Sequence, residues 1–114
     1  EMRSTGDGLT WRPKDLDQSA DLARTHWEDC KAVIESGEYN VVVLDEFTYP
    51  MHYGWIDTHE VIEVLKARPE MQHVIITGRN APEDLVAYAD LVTDMQVVKH
   101  PYHDGIKAQP GIEF

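Results

Sequence analysis

Apolar residues near the start of the chain recur at helical spacing. Leu16, Ala20, Ala23, Trp27, Cys30 and Ile34 are separated by four, three, four, three and four positions. That stripe predicts one face of a helix running to about Ser36, with Asp17 or Ser19 as its cap and Gly37 as its stop. The pattern then changes to Val41-Val42-Val43-Leu44, apolar at every position and ending in Asp45-Glu46. Such a run predicts a strand covered on both faces, as in a parallel sheet. A second helix is expected over about Asp57 to Ala67, turning Val61, Ile62, Val64 and Leu65 inward and ending before Pro69. Val74-Ile75-Ile76-Thr77 repeats the buried-strand pattern and leads into Gly78-Arg79-Asn80. A third helix is expected to start near Pro82 and to carry Leu85, Val86, Ala89 and Val92. A weaker strand is expected from Met95 to Lys99, followed by an irregular tail from His100 to Phe114.

Alternation of strands and helices implies a parallel sheet with right-handed crossovers. Sheets of that kind place their sites in the crevice beyond the carboxyl ends of the strands. Two of the three expected strands end there in polar residues, Asp45-Glu46 and Thr77-Gly78-Arg79.

The 114 residues are one domain by length, without internal repeat, low-complexity segment or linker. Ten Lys and Arg against 21 Asp and Glu leave a formal net charge of −11. This argues against nucleic acid and anionic membrane as partners, since both need a basic face. No apolar run approaches the roughly 20 residues that cross a bilayer. Cys30 is the single cysteine, which excludes an internal disulfide and a cysteine-only zinc site. With no signal-peptide pattern, the expected compartment is the cytoplasm. The opening Glu1-Met2-Arg3 has no initiator methionine at position 1, as in a fragment or a processed product.

Four hydrophobic strand residues followed by Asp-Glu have the form of a Walker B element. The strand carries the acidic pair to the sheet edge, where the first carboxylate can hold Mg²⁺ beside nucleotide phosphates. The bland alternative is a strand ending in solvated acids. Arg79 after Thr77-Gly78 can match phosphate oxygens with its fork, or simply pair with a surface acid. No G-x-x-x-x-G-K-[ST] phosphate loop occurs in these residues, so a nucleotide site would need one from outside them. Thr5-Gly6-Asp7-Gly8-Leu9-Thr10-Trp11 is a glycine-hinged loop presenting a tryptophan, suited to stacking on a flat ligand or to plugging the core. His100 and His103 flank Pro101 without an evident third metal ligand and read as surface histidines. Cys30, on the apolar stripe, reads as a small buried hydrophobe. No Ser-His-Asp or Cys-His arrangement can be inferred.

Taken together in order and spacing, these segments resemble one family. They are Gly6-Asp7-Gly8-Leu9-Thr10-Trp11, Val42-Val43-Leu44-Asp45-Glu46-Phe47-Thr48-Tyr49, Ala67-Arg68-Pro69 and Val74-Ile75-Ile76-Thr77-Gly78-Arg79. The tail adds Val98-Lys99-His100, Gly105-Ile106-Lys107-Ala108-Gln109 and Gly111-Ile112-Glu113-Phe114. The family is the P-loop type ATP:corrinoid adenosyltransferase, acting on cob(I)alamin or cob(I)yrinic acid a,c-diamide. The resemblance spans essentially the whole chain.

The resemblance implies a RecA-like α/β fold, a P-loop NTPase-type parallel sheet flanked by helices. It implies transfer of the 5′-deoxyadenosyl group of ATP to the cobalt of a reduced corrinoid, in adenosylcobalamin biosynthesis or corrinoid salvage. The family's phosphate loop lies near the N-terminus, so residues 1–114 match a single C-terminal portion and are expected to be inactive alone. Cobalt(I) is itself the nucleophile, so no general base is required; stabilising the triphosphate leaving group is. Asp45 and Glu46 match the family's acids near Mg²⁺, and Arg79, after Thr77, matches its strand-end arginine. Trp11 matches a loop tryptophan that helps displace the lower axial ligand of the corrinoid, and Leu9 stands where the family usually has phenylalanine. The family also implies a homodimer and a flavoprotein reductant. Two other readings compete: a non-catalytic corrinoid-binding or interaction module, and a fragment of another P-loop ATPase in which Glu46 activates water.

Overall fold

The computed structural model describes residues 13–101 and Gly105, with side chains of the first helix described from Gln18 onward. The elements run α1 (Pro13–Ser36), β1 (Val41–Leu44), α2 (Thr48–His52), α3 (Thr58–Lys66), β2 (His73–Ile76) and α4 (Glu83–Tyr88). β1 and β2 pair in parallel, Val41 opposite His73 through Leu44 opposite Ile76. The result is a two-stranded parallel sheet flanked by helices, part of an α/β fold of the expected type.

The α1 stripe packs as its spacing dictates. Ala20, Trp27 and Ile34 are buried, with Ala23 and Cys30 packed against the core beside them. The helix begins earlier than expected, at Pro13, so Asp17 and Ser19 lie within it and do not cap it. Proline suits a first helical turn, where its missing N–H has no partner to lose. Gly37 takes the left-handed φ of 69° that ends the helix, and its N–H donates to the Ile34 carbonyl.

All four expected inward residues of α3 are buried. The Asp57 carboxylate caps the helix, accepting from the His59 N–H at 3.1 Å. Asp57→Ala is expected to lower stability by about 1 kcal/mol, read from urea unfolding with the slope unchanged. At the far end Arg68 locks the turn into β2. Its guanidinium donates to the carbonyls of Leu65 and Gln72 at 2.8 and 2.9 Å. The buried Gln72 amide donates to the carbonyls of Ile34 and Tyr39, tying the end of α1 to the same turn.

Four expectations are corrected. The strands are covered on one face only: Val42 and Leu44 are buried, while Val41, Val43 and Ile75 stand exposed. The third helix ends at Tyr88, because Ala89 is already extended with ψ 141°; Val86, Ala89 and Val92 therefore stay out of the core and only Leu85 is buried. Met95–Lys99 forms no strand, since no strand of the described residues pairs with it. A short helix, α2, occupies residues where no element was expected. Pro50 is tolerated there as its third residue, a position whose N–H has no intrahelical partner.

Candidate functional site

The parallel register sets Asp45 and Thr77 side by side as each strand leaves the sheet. The two ends are then stapled together. The Thr77 hydroxyl donates to Asp45 Oδ1 at 2.7 Å and accepts the Glu46 N–H at 3.0 Å. The Phe47 N–H reaches the Thr77 carbonyl at 3.0 Å, and the Thr48 hydroxyl donates to the Arg79 carbonyl at 2.8 Å. Four of the expected site residues, Asp45, Glu46, Thr77 and Arg79, thus share one sheet edge, and all four are exposed. Leu9 and Trp11 lie outside the described residues.

The turn after β1 is held in an unusual backbone conformation. Glu46 has a φ of +54°, a left-handed value that non-glycine residues seldom take and that tends to persist at functional sites. Opposite it, Gly78 has a φ of +146° and lies so close to Thr48 that any β-carbon would meet the Thr48 hydroxyl oxygen at 1.9 Å. Thr48 itself is buried, anchored beside Phe47, whose ring tilts against Trp27 of α1 at 5.5 Å between centroids. The core therefore fixes Phe47 and Thr48, and these fix the acids just before them.

Among the described residues, no group of three His, Cys, Asp or Glu side chains could hold a metal ion by itself. Asp45 already accepts one hydrogen bond on Oδ1, leaving its second oxygen and the Glu46 carboxylate as donors. Such a set suits Mg²⁺, which commonly takes one or two carboxylates and completes its shell with phosphate oxygens and water. Among the described residues the Arg79 guanidinium has no ion-pair partner, in contrast to Arg24 and Arg68. The sheet edge accordingly carries two exposed acidic residues and one exposed arginine.

The family model for ATP:corrinoid adenosyltransferase BtuR/CobO/CobP matches residues 1–114, the entire chain. The chain belongs to the ATP:corrinoid adenosyltransferase family. It is 46% identical to a corrinoid adenosyltransferase of Sinorhizobium over all of its own length and 54% of that protein's. A corrinoid adenosyltransferase of Pseudomonas aeruginosa shares 38% identity over 96% of this chain and 54% of its own. For the corrinoid adenosyltransferase of Escherichia coli K12 the values are 34%, 100% and 58%. The chain thus spans little more than half the length of these corrinoid adenosyltransferases.

Sequence reasoning missed the buried supports of the site. Phe47 and Thr48 belong to a segment that carries the family resemblance, but the sequence assigns them no role; only the crossover that brings Gly78 against Thr48 reveals their part. It also missed the aromatic group of Tyr49, Tyr53 and Trp55, in which Tyr53 and Trp55 stack at 5.2 Å. Trp55 lines a cavity of about 520 Å³ between α1 and the turn from α2 to α3, together with Arg24, Trp27, Glu28 and Glu60. None of the four strand-end residues lines that cavity. No described helix is long and apolar enough to cross a membrane.

Proposed function

We propose that this chain is the C-terminal portion of an enzyme that transfers the 5′-deoxyadenosyl group of ATP to the cobalt(I) of a corrinoid. The observation that carries the reading is the stapled strand-end cluster of Asp45, Glu46, Thr77 and Arg79 in a member of this family. In the reaction the cobalt electron pair attacks C5′, a Co–C bond forms, and the C5′–O bond breaks with triphosphate leaving. No side chain has to give or take a proton. The burden falls on the charge of the leaving group.

Asp45 and Glu46 would hold Mg²⁺, which neutralises triphosphate charge when bound. The Thr77 hydroxyl donates to one oxygen of the Asp45 carboxylate, leaving the other for the metal. Arg79 places a permanent positive charge at the same edge, where its planar fork can take two phosphate oxygens. A homodimer and a flavoprotein reductant belong to the same proposal, as does a cytoplasmic setting.

Because the phosphate loop is not among these residues, the isolated chain is expected to bind ATP weakly and to form no adenosylcorrinoid. The test joins it to the unmatched portion of the Sinorhizobium relative and follows the Co–C bond by absorbance. Activity in the joined protein and none in the chain alone is the expected result. No activity in a folded joined protein, or a micromolar ATP Kd by calorimetry for the chain alone, would overturn the reading.

Trp11 is proposed to act on reduction of cobalt(II) by excluding the lower ligand, on the corrin face away from ATP. Trp11→Ala in the complete enzyme should therefore slow the reaction starting from cobalt(II) far more than the one given cobalt(I). Leu9→Phe should leave the reduction step unchanged or faster. Equal losses in both assays, with a lower Tm, would make Trp11 a core plug instead.

A further inference from the structure

Thr48 opens α2, where a threonine hydroxyl commonly bonds to neighbouring backbone of its own segment. Here it does not. Thr48 is 3% exposed, and its hydroxyl crosses to the other strand end to donate to the Arg79 carbonyl at 2.8 Å. The acids have separate staples: the Thr77 hydroxyl holds Asp45 and the Glu46 N–H, and the Phe47 N–H holds the Thr77 carbonyl. The bond from the Thr48 hydroxyl therefore acts on the Arg79 turn. That turn is constrained on both sides of the arginine, with Gly78 at φ +146° and Asn80 at φ +54°, a left-handed value seldom taken without glycine. The carbonyl that Thr48 holds lies in the peptide joining Arg79 to Asn80, so the bond fixes the plane whose rotation would let Asn80 relax. The Arg79 side chain is exposed and has no ion-pair partner among the described residues, so its direction is set through its backbone.

We propose that Thr48 is a positioning residue for Arg79: its buried hydroxyl holds the Arg79–Asn80 peptide so that the guanidinium is aimed at the triphosphate before ATP arrives. A long arginine side chain loses rotamer freedom when it grips phosphate, and a fixed backbone lowers the part of that cost the leaving group must offset. Thr48 touches neither substrate nor metal in this account; it acts through Arg79. Losing it therefore costs less than losing the guanidinium, and costs nothing once the guanidinium is gone. The inference deepens the proposed reading of the strand-end cluster and rests on it.

The test is a double-mutant cycle in the complete enzyme, with cobalt(I) corrinoid supplied. Thr48→Val keeps the shape and deletes the hydroxyl, leaving water to meet the carbonyl of the exposed Arg79; Thr48→Ala deletes the same hydroxyl and replaces it where the valine variant does not fold. Either should lower kcat/KM for ATP about tenfold in the parent, since a displaced catalytic group costs one to two decades. In the Arg79→Ala background the same change should cost less than about twofold, because coupled residues are not additive. Thr48→Ser, which restores the donor, should return the parental rate. Calorimetry with inorganic triphosphate and Mg²⁺ should show the same pattern in Kd, a readout that does not depend on the corrinoid. Equal losses in both backgrounds would make Thr48 a structural residue and overturn the inference, as would parental rates and triphosphate affinity for Thr48→Val or a Thr48→Ser variant as slow as Thr48→Val. The two levels fail differently. A slow Arg79→Ala beside a parental Thr48→Val sinks this inference alone, whereas a parental Arg79→Ala sinks the reading of the cluster and this inference with it.

Discussion

Gly78→Ala is expected to lower stability by about 3 kcal/mol, which for a domain of this size is roughly 10–20 °C in Tm. Two costs combine. The backbone sits at φ +146°, a value glycine takes freely and alanine resists. The added methyl would also lie 1.9 Å from the Thr48 hydroxyl oxygen and 3.2 Å from the Thr48 nitrogen, so a buried residue must move. Moving Thr48 breaks its bond to the Arg79 carbonyl and loosens the turn that carries Glu46. Thr48→Ala in the same molecule removes the clashing oxygen and leaves the backbone cost, so the double variant should recover part of the loss. A melting temperature within about 2 °C of the parent for Gly78→Ala would show that the two strand ends are not tightly joined.

Asp45→Asn and Arg79→Ala, each in the complete enzyme supplied with cobalt(I) corrinoid, are expected to slow turnover about 10²–10³-fold. Asparagine preserves size and still offers an oxygen to the Thr77 hydroxyl, so the stapled strand ends should survive. What it removes is the negative charge that would draw Mg²⁺. Arg79→Ala removes the positive charge at the same edge while leaving intact the backbone carbonyl that Thr48 uses. Unchanged melting curves with slow turnover would place the loss in the chemistry. Near-parental rates would make both side chains structural.

The helical faces were legible because a period near 3.6 survives any tertiary context. The stripe from Ala20 to Ile34 and the inward set of α3 both follow from spacing alone. Helix ends were less legible: Asp17 and Ser19 read as starts, whereas the helix begins at Pro13, which the apolar spacing does not mark. The adjacency of Asp45 and Thr77 was also legible, because two buried-strand runs with a helix between them pair in parallel and share a carboxyl edge.

Other features depend on contacts between distant residues, which no local pattern encodes. An apolar strand signals that both faces favour burial, not which face finds a partner; here Val41, Val43 and Ile75 found none. Met95–Lys99 shows the same limit, for a strand exists only by backbone pairing and its sequence cannot supply the neighbour. The amino-acid sequence by itself determined the family, the helical faces, the two parallel strands and the acids and arginine at their ends. Only the tertiary structure decided that Thr77 orients Asp45, that Glu46 takes a left-handed turn and that Gly78 is pressed against a buried Thr48. The physical reason is distance along the chain. Each of those contacts joins residues about thirty positions apart, brought together by a crossover whose path is set by the packing of α3 on the core.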